Sequence, residues 1–188
     1  MSQLEQAVRP FLQPLLAGQA HVIPPNVQAI IARWAVKTAM VLEAQDPIEK
    51  RAYSPAHCAL LRERAAMPWR TSVWLAAAVD PAWVMSTKNR HLGPEMHEVR
   101  GISTTMAFGH LAVQVLTMNV PASVGPDTEV TTDVRRGPWD QLSVQIWSPQ
   151  DALSWPPSMG LQGEEGLNAF ADRFMANDYS GEVDPFAV

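Results

Sequence analysis

The sequence predicts a mixed α+β domain in which N-terminal helices come first, an antiparallel sheet of about four strands follows, and a C-terminal helix closes over the sheet. Three observations carry this. Residues 2 to 66 place apolar side chains at helical spacing between prolines. From Ser72 to Trp147 the apolar residues come in short runs or in alternation with polar ones. Leu167, Phe170, Ala171, Phe174 and Met175 then return to helical spacing. With 188 residues, 47% of them apolar, the chain can bury a core as one domain over residues 1–178, leaving 179–188 as a flexible tail.

The elements follow in order. Residues 2 to 17 predict a short helix interrupted at Pro10 and Pro14, because proline cannot donate within a helix and biases its predecessor to extended geometry. Pro24-Pro25-Asn26 launches a long helix over about 26–45, which Asp46-Pro47 ends. On this helix Val27, Ile31, Trp34, Thr38 and Val41 form the predicted buried stripe, with Trp34 at its centre and Glu43 nearly opposite on the wheel. Ser54-Pro55 has the form of an N-cap and first helical residue, starting a helix to about Ala66 with Ala59, Leu60 and Leu61 on its apolar side, closed by Met67-Pro68.

Ser72 to Val79 predicts a buried strand bounded by Asp80-Pro81. Val99 to Phe108 and His110 to Val120 are two extended runs separated by Gly109, as in a hairpin or one bent strand. In the second run Leu111, Val113 and Val115 face one side and Ala112, Gln114 and Leu116 the other. Gln141 to Trp147 alternates, with Leu142, Val144 and Ile146 facing in and Ser143 and Gln145 out, as in a half-exposed antiparallel strand. Roughly Pro81–Glu98 and Pro121–Asp140 carry no period and are expected to be loops. Glu164 and Glu165 favour a helix start ahead of the closing helix.

Composition excludes several classes. A single cysteine argues against a disulfide-stapled secreted fold, the first thirty residues lack a signal-peptide pattern, and no apolar run approaches a membrane span. A cytoplasmic chain with no membrane partner is the expectation. The net charge of −5 hides an asymmetry: residues 1–94 carry ten Lys and Arg against six Asp and Glu, while residues 95–188 carry four against thirteen. The basic excess lies at Lys50, Arg51, Arg62, Arg64, Arg70, Lys88 and Arg90. Such residues can face phosphates, or they can dock on the acidic half of the same chain, and the overall pI near 5.5 weighs towards the second.

No catalytic or metal constellation stands out. A zinc site needs about four Cys or His ligands in closely spaced sets, and this chain offers only Cys58 and five histidines without helical zinc spacing. His57 and Cys58 are adjacent, so on a helix they point about 100° apart and do not form a nucleophile and base; Cys58 is expected to be a small buried hydrophobe. No cofactor-binding glycine motif is present. The ligand-binding candidates are Arg33 and Lys37, four residues apart beside the long helix's stripe, together with Arg70, and with Trp83, Lys88 and Arg90, which group an aromatic with cations able to contact a base or an anion. Arg33 and Lys37 can equally be a solvated edge whose stems lie on the core, and Trp83 a core filler.

Four segments together resemble the C-terminal region of bacterial HNH-endonuclease-like proteins. They are Met1-Ser2-Gln3-Leu4-Glu5-Gln6-Ala7-Val8-Arg9-Pro10-Phe11-Leu12-Gln13-Pro14-Leu15, the helix containing Trp34-Ala35-Val36-Lys37-Thr38-Ala39, Ser72-Val73-Trp74-Leu75, and Phe108-Gly109-His110-Leu111-Ala112-Val113-Gln114-Val115. The similarity spans about residues 1–120 and is most specific at the Trp34 helix. In that family an N-terminal zinc module of two Cys pairs ends in a Cys-Asn-x-Gly-Trp-Met-Ser-x-Leu-Glu run, and Met1 to Glu5 match only its tail. The resemblance therefore implies a non-catalytic companion or recognition domain, in a chain that is a fragment, a split gene product or a relative without the metal module. The alternative is a stand-alone interaction factor of a phage or mobile element, an inhibitor or scaffold. Both expect a protein partner or self-association ahead of nucleic acid.

Overall fold

The computed structural model describes residues 3–48, 51–64, 66–81, 83–92, 100–119, 139–149 and 151–175. Its fold is mixed α and β, and its strands outnumber the four expected. Helix α1 (Gln3–Leu16) packs on α2 (Pro25–Glu43), with the short strand β1 (His21–Ile23) between them in sequence. Pro10 and Pro14 lie inside α1 and do not interrupt it. Being four residues apart they share one face, while Val8, Leu12 and Leu15 are buried on another. Tertiary burial of that stripe outweighs the backbone hydrogen bonds the two prolines forgo.

The α2 stripe is rotated from the expected one by roughly one residue, about 100° around the helix. Val27, Gln28, Ile31, Ala32, Ala35, Val36, Ala39 and Glu43 are buried. Trp34 and Thr38 are only half-buried, and Val41 is 58% exposed. Alanines at 32, 35 and 39 let the helix backbone approach its neighbours closely, and Trp34 lies along the margin against Phe108, ring centroids 5.9 Å apart. Arg51 caps the helix end by donating to the carbonyls of Asp46 and Ala44 at 2.9 and 2.8 Å. Helix α3 (Pro55–Glu63) begins at a reciprocal cap in which Ser54 Oγ accepts from His57 N at 3.3 Å and His57 Nδ1 accepts from Ser54 N at 3.4 Å. It buries His57 and leaves Cys58 exposed, against the expected buried cysteine.

Strands β2 (Thr71–Val79), β3 (Met85–Leu92), β4 (Arg100–Phe108) and β5 (Leu111–Asn119), with β6 (Ser143–Trp147), form a sheet in the order β3-β4-β5-β2-β6. Every pairing along that path is antiparallel. Helix α4 (Trp139–Leu142) precedes β6, and β7 (Leu153–Trp155) pairs with β1 in a small second sheet. β8 (Leu161–Gln162) runs parallel to the end of β2 and leads into α5 (Gly163–Asp172). The hairpin tip between β4 and β5 needs glycine, because Gly109 has φ +52° and a Cβ there would stand 2.9 Å from the Leu16 carbonyl oxygen. His110 N donates to that same carbonyl at 3.1 Å, fixing the tip to the end of α1.

The sheet is covered on both faces. Val73, Leu75, Ile102, Met106, Val113, Val115 and Ile146 join the buried residues of α1 and α2 in one core. Trp74, Ala76, Ala107, Ala112, Leu116 and Leu142 join Leu167 and Phe170 of the α5 side in the other. This corrects the half-exposed reading of residues 141–147: Ser143 faces the second core and is buried, and Gln141 and Leu142 belong to α4. The expected loop at 81–98 contains β3, an edge strand whose polar side chains gave no alternation to read. The expected loop at 121–140 lies mostly outside the described residues, as do Lys50 and the tail expected at 179–188.

Candidate functional site

The six ligand-binding candidates occupy separate places. Arg33 and Lys37 belong to α2. Lys37 Nζ meets Glu5 Oε1 of α1 at 2.6 Å, each side chain about a third exposed, so it ties the two N-terminal helices. Arg33 is half-buried, and its Nε is buried without a hydrogen-bond partner. Arg70 is exposed in the turn before β2 at φ +52°, where its carbonyl accepts from Met118 N at 3.2 Å.

Trp83, Lys88 and Arg90 lie on the opposite face of the sheet from α2. Trp83 packs against the second core with its indole Nε1 buried and unpartnered. Arg90 Nε contacts Asp172 Oδ1 of α5 at 2.5 Å, and Lys88 Nζ lies 4.0 Å from Glu164 Oε1 at the other end of that helix. The cations of β3 therefore meet carboxylates of the acidic half of the chain. The sheet separates them from Arg33 and Lys37, so the six candidates form no common surface.

Sequence reasoning missed the most distinctive polar centre, which lies under α5. Gln114 is fully buried in β5. Its Nε2 is within hydrogen-bond range of Ser103 Oγ and Thr105 Oγ1, both at 3.1 Å, and of the Phe170 carbonyl at 2.9 Å. Its Oε1 accepts from Arg173 Nε at 2.6 Å, and Arg173 Nη1 donates to Ser143 Oγ at 3.1 Å. Arg173, 7% exposed as a residue, sets its guanidinium 4.5 to 4.7 Å from the ring centres of Phe170, Trp74 and Phe174, with Trp139 at 5.9 Å. Burial pushes Arg173 down to about 9, opposed by Asp140, so it stays charged at neutral pH. Its Nη2 is buried without a partner. The available signal was an amide inside an apolar strand and an arginine between phenylalanines.

A second buried centre lies at the end of α2. Glu43, 1% exposed, accepts from Ala52 N at 2.6 Å and Tyr53 N at 3.0 Å. Desolvation raises its carboxyl above the ordinary 4.5, against the lowering effect of those two donors. His91 Nε2 stands 3.5 Å from Asp46 Oδ2 nearby. On the sheet, Tyr53 OH accepts from Thr117 Oγ1 at 3.0 Å, and Thr117 also pairs with Thr71 at 3.0 Å.

These centres hold elements together and contain no nucleophile beside a base. His57 is buried with Nδ1 committed to the helix cap, while Cys58 is exposed. Among the described residues no group of three or more His, Cys, Asp or Glu side chains is arranged to hold a metal, and no helix is long and apolar enough to cross a membrane. Comparison with protein-family models, with curated proteins and with solved structures gives no match.

Proposed function

We propose that this chain is a non-catalytic recognition domain that binds protein, in the manner the resemblance to the C-terminal region of HNH-endonuclease-like proteins implies. One observation favours protein over nucleic acid as the partner: Lys37, Lys88 and Arg90 are each answered by a carboxylate of the same chain. A cation already engaged must give up that partner before it can neutralise a phosphate, which lowers the counterion release that drives nucleic-acid binding. The net charge of −5 adds long-range repulsion of a polyanion.

The test has two arms. In the first, fluorescence anisotropy with a labelled DNA duplex at low salt is expected to give no saturable binding. Tight binding whose log–log salt slope grows by about 0.9 per neutralised phosphate, abolished by Arg33→Glu with Lys37→Glu, would overturn the reading. In the second, calorimetric titration with an isolated zinc-containing HNH module is expected to yield a stoichiometric complex. Absence of that complex would remove the HNH-companion form and leave the stand-alone interaction factor.

A further inference from the structure

We infer that the outer edge of β3 pairs antiparallel with β3 of a second copy, joining two sheets across a twofold axis at Thr87. The outward backbone groups follow from the register. Ala78 N donates to the His110 carbonyl, so even-numbered residues of β5 turn their backbone groups towards β2 and odd-numbered ones towards β4. Even-numbered residues of β4 then face β5, and odd-numbered ones face β3. The bond from Gly109 N to the Val84 carbonyl fits this phase and assigns even-numbered residues of β3 to β4. Met85, Thr87, Asn89 and His91 consequently direct their N–H and C=O groups away from the sheet, where no strand pairs with them among the described residues.

Free edges are usually guarded by charge. Lys88 and Arg90 are the cations on this strand, and both are drawn over the sheet towards Glu164 and Asp172 of α5. Val84, 92% exposed, and Met85, 65% exposed, stand unguarded at its start. A second β3 suits this edge because, reversed about Thr87, the strand offers its free odd-numbered backbone groups to their own copies and sets no cation opposite a cation. Outward residues are all odd-numbered, so a twofold pairing must centre on a single residue. Centred on Lys88 it sets Lys88 against its own copy, and centred on Asn89 it sets Lys88 against Arg90; like charges directly opposite are unfavourable. Centred on Thr87, Met85 meets Asn89, Ser86 meets Lys88, and Val84 meets the aliphatic stem of Arg90, with no cation opposite a cation. Centring on Ser86 also avoids the clash but leaves only residues 85 to 87 of the strand paired. The Asn89 carbonyl accepts from Arg90 Nη1 at 3.2 Å and retains a second lone pair for the Met85 amide of the other copy.

The inference is tested on the full chain by sedimentation equilibrium and by hydrogen exchange at low and high protein concentration. The expected result is a dimer whose formation slows exchange at the Met85, Thr87 and Asn89 amides and leaves Ser86, Lys88 and Arg90, already bonded to β4, unchanged. Thr87→Pro removes the central donor at a position where an edge strand tolerates proline, and Thr87→Lys sets two ammonium groups face to face. Loss of the dimer in Thr87→Lys, with the monomer's circular dichroism intact, supports the interface even if Thr87→Pro fails to fold. A wild-type chain that stays monomeric at all concentrations overturns it, as does a dimer that Thr87→Lys leaves unchanged. Neither result depends on whether an HNH module binds.

Discussion

Replacing Gln114 by leucine keeps the side chain's approximate volume and removes the one acceptor that Arg173 Nε has. Arg173 cannot swing to water without leaving the box of Trp74, Trp139, Phe170 and Phe174. Its Nη2 already lacks a partner, so the variant would leave only the Ser143 bond at 3.1 Å on a desolvated cation. Leaving a buried donor of a charged group without its acceptor costs about 1–3 kcal/mol, towards the upper end because the group is ionised, and Gln114→Leu is expected to fall there. Arg173→Met removes the charge together with its desolvation cost. It forfeits the ring contacts and leaves the Gln114 oxygen unpaired, a penalty of about 1–3 kcal/mol. The double variant has neither an orphaned cation nor an orphaned amide and should be more stable than Gln114→Leu alone. Urea denaturation followed by tryptophan fluorescence measures all four corners of the cycle, and the coupling energy is read from their non-additivity. If Gln114→Leu costs under about 1 kcal/mol, or if the two substitutions add without coupling, the guanidinium is not committed to this centre and the reasoning fails.

Three further outcomes are expected. Glu43→Gln sets an amide N–H₂ against one of the Ala52 and Tyr53 donors and should cost about 1–3 kcal/mol by thermal melting at neutral pH. Because burial raises the Glu43 carboxyl, the pH-linked part of its contribution, which adds to those two hydrogen bonds, is complete below the ordinary 4.5 and is lost as pH rises through the folded value; the wild-type advantage over Glu43→Gln should therefore widen on acidification. A constant gap would contradict the burial. His57 behaves oppositely: burial lowers it, so its contribution is present above the ordinary 6.5 and is lost as pH falls through the folded value, and melting curves of His57→Gln should lack that acid-side loss. Trp34→Ala should cost less than the about 3–5 kcal/mol of a fully buried aromatic, since Trp34 is a margin residue packed on Phe108. A full-sized loss in urea denaturation would return it to the centre of the core.

Local chemistry in the sequence was enough for several elements. Ser54-Pro55 marks a helix start because a hydroxyl acceptor and a preset φ act within one turn, and the cap forms at that place. Gly109 between two apolar runs marks a break that is either a hairpin or a bend, and the antiparallel pairing of Phe108 with Leu111 makes it a hairpin whose turn uses the positive φ. The alternation of Leu111, Val113 and Val115 against Ala112, Gln114 and Leu116 gives the two faces of β5, both of which the fold buries. By contrast β3 was illegible, because an edge strand carrying Lys88, Asn89, Arg90 and His91 has no hydrophobic period. Its pairing is created by β4 and its charges are answered by α5.

The candidate site divides the same way. Composition and charge separated a basic first half from an acidic second half, and the pairs from β3 to α5 join the two. Which residues meet was beyond the sequence, since Lys37 and Glu5 are thirty-two positions apart and Arg90 and Asp172 eighty-two. On α2 the sequence supplied the helix and the burial of Val27 and Ile31, but it turned Trp34, Thr38 and Val41 inward where the fold buries Ala32, Ala35, Val36 and Ala39. The helical period fixes only which residues share a stripe, and the close approach permitted by Ala32, Ala35 and Ala39 selects the stripe that is buried. Gln114 and Arg173 lie fifty-nine positions apart and carry no short-range signal of their contact; only the packing of α5 on the sheet removes water from both, and that desolvation is what makes each require the other.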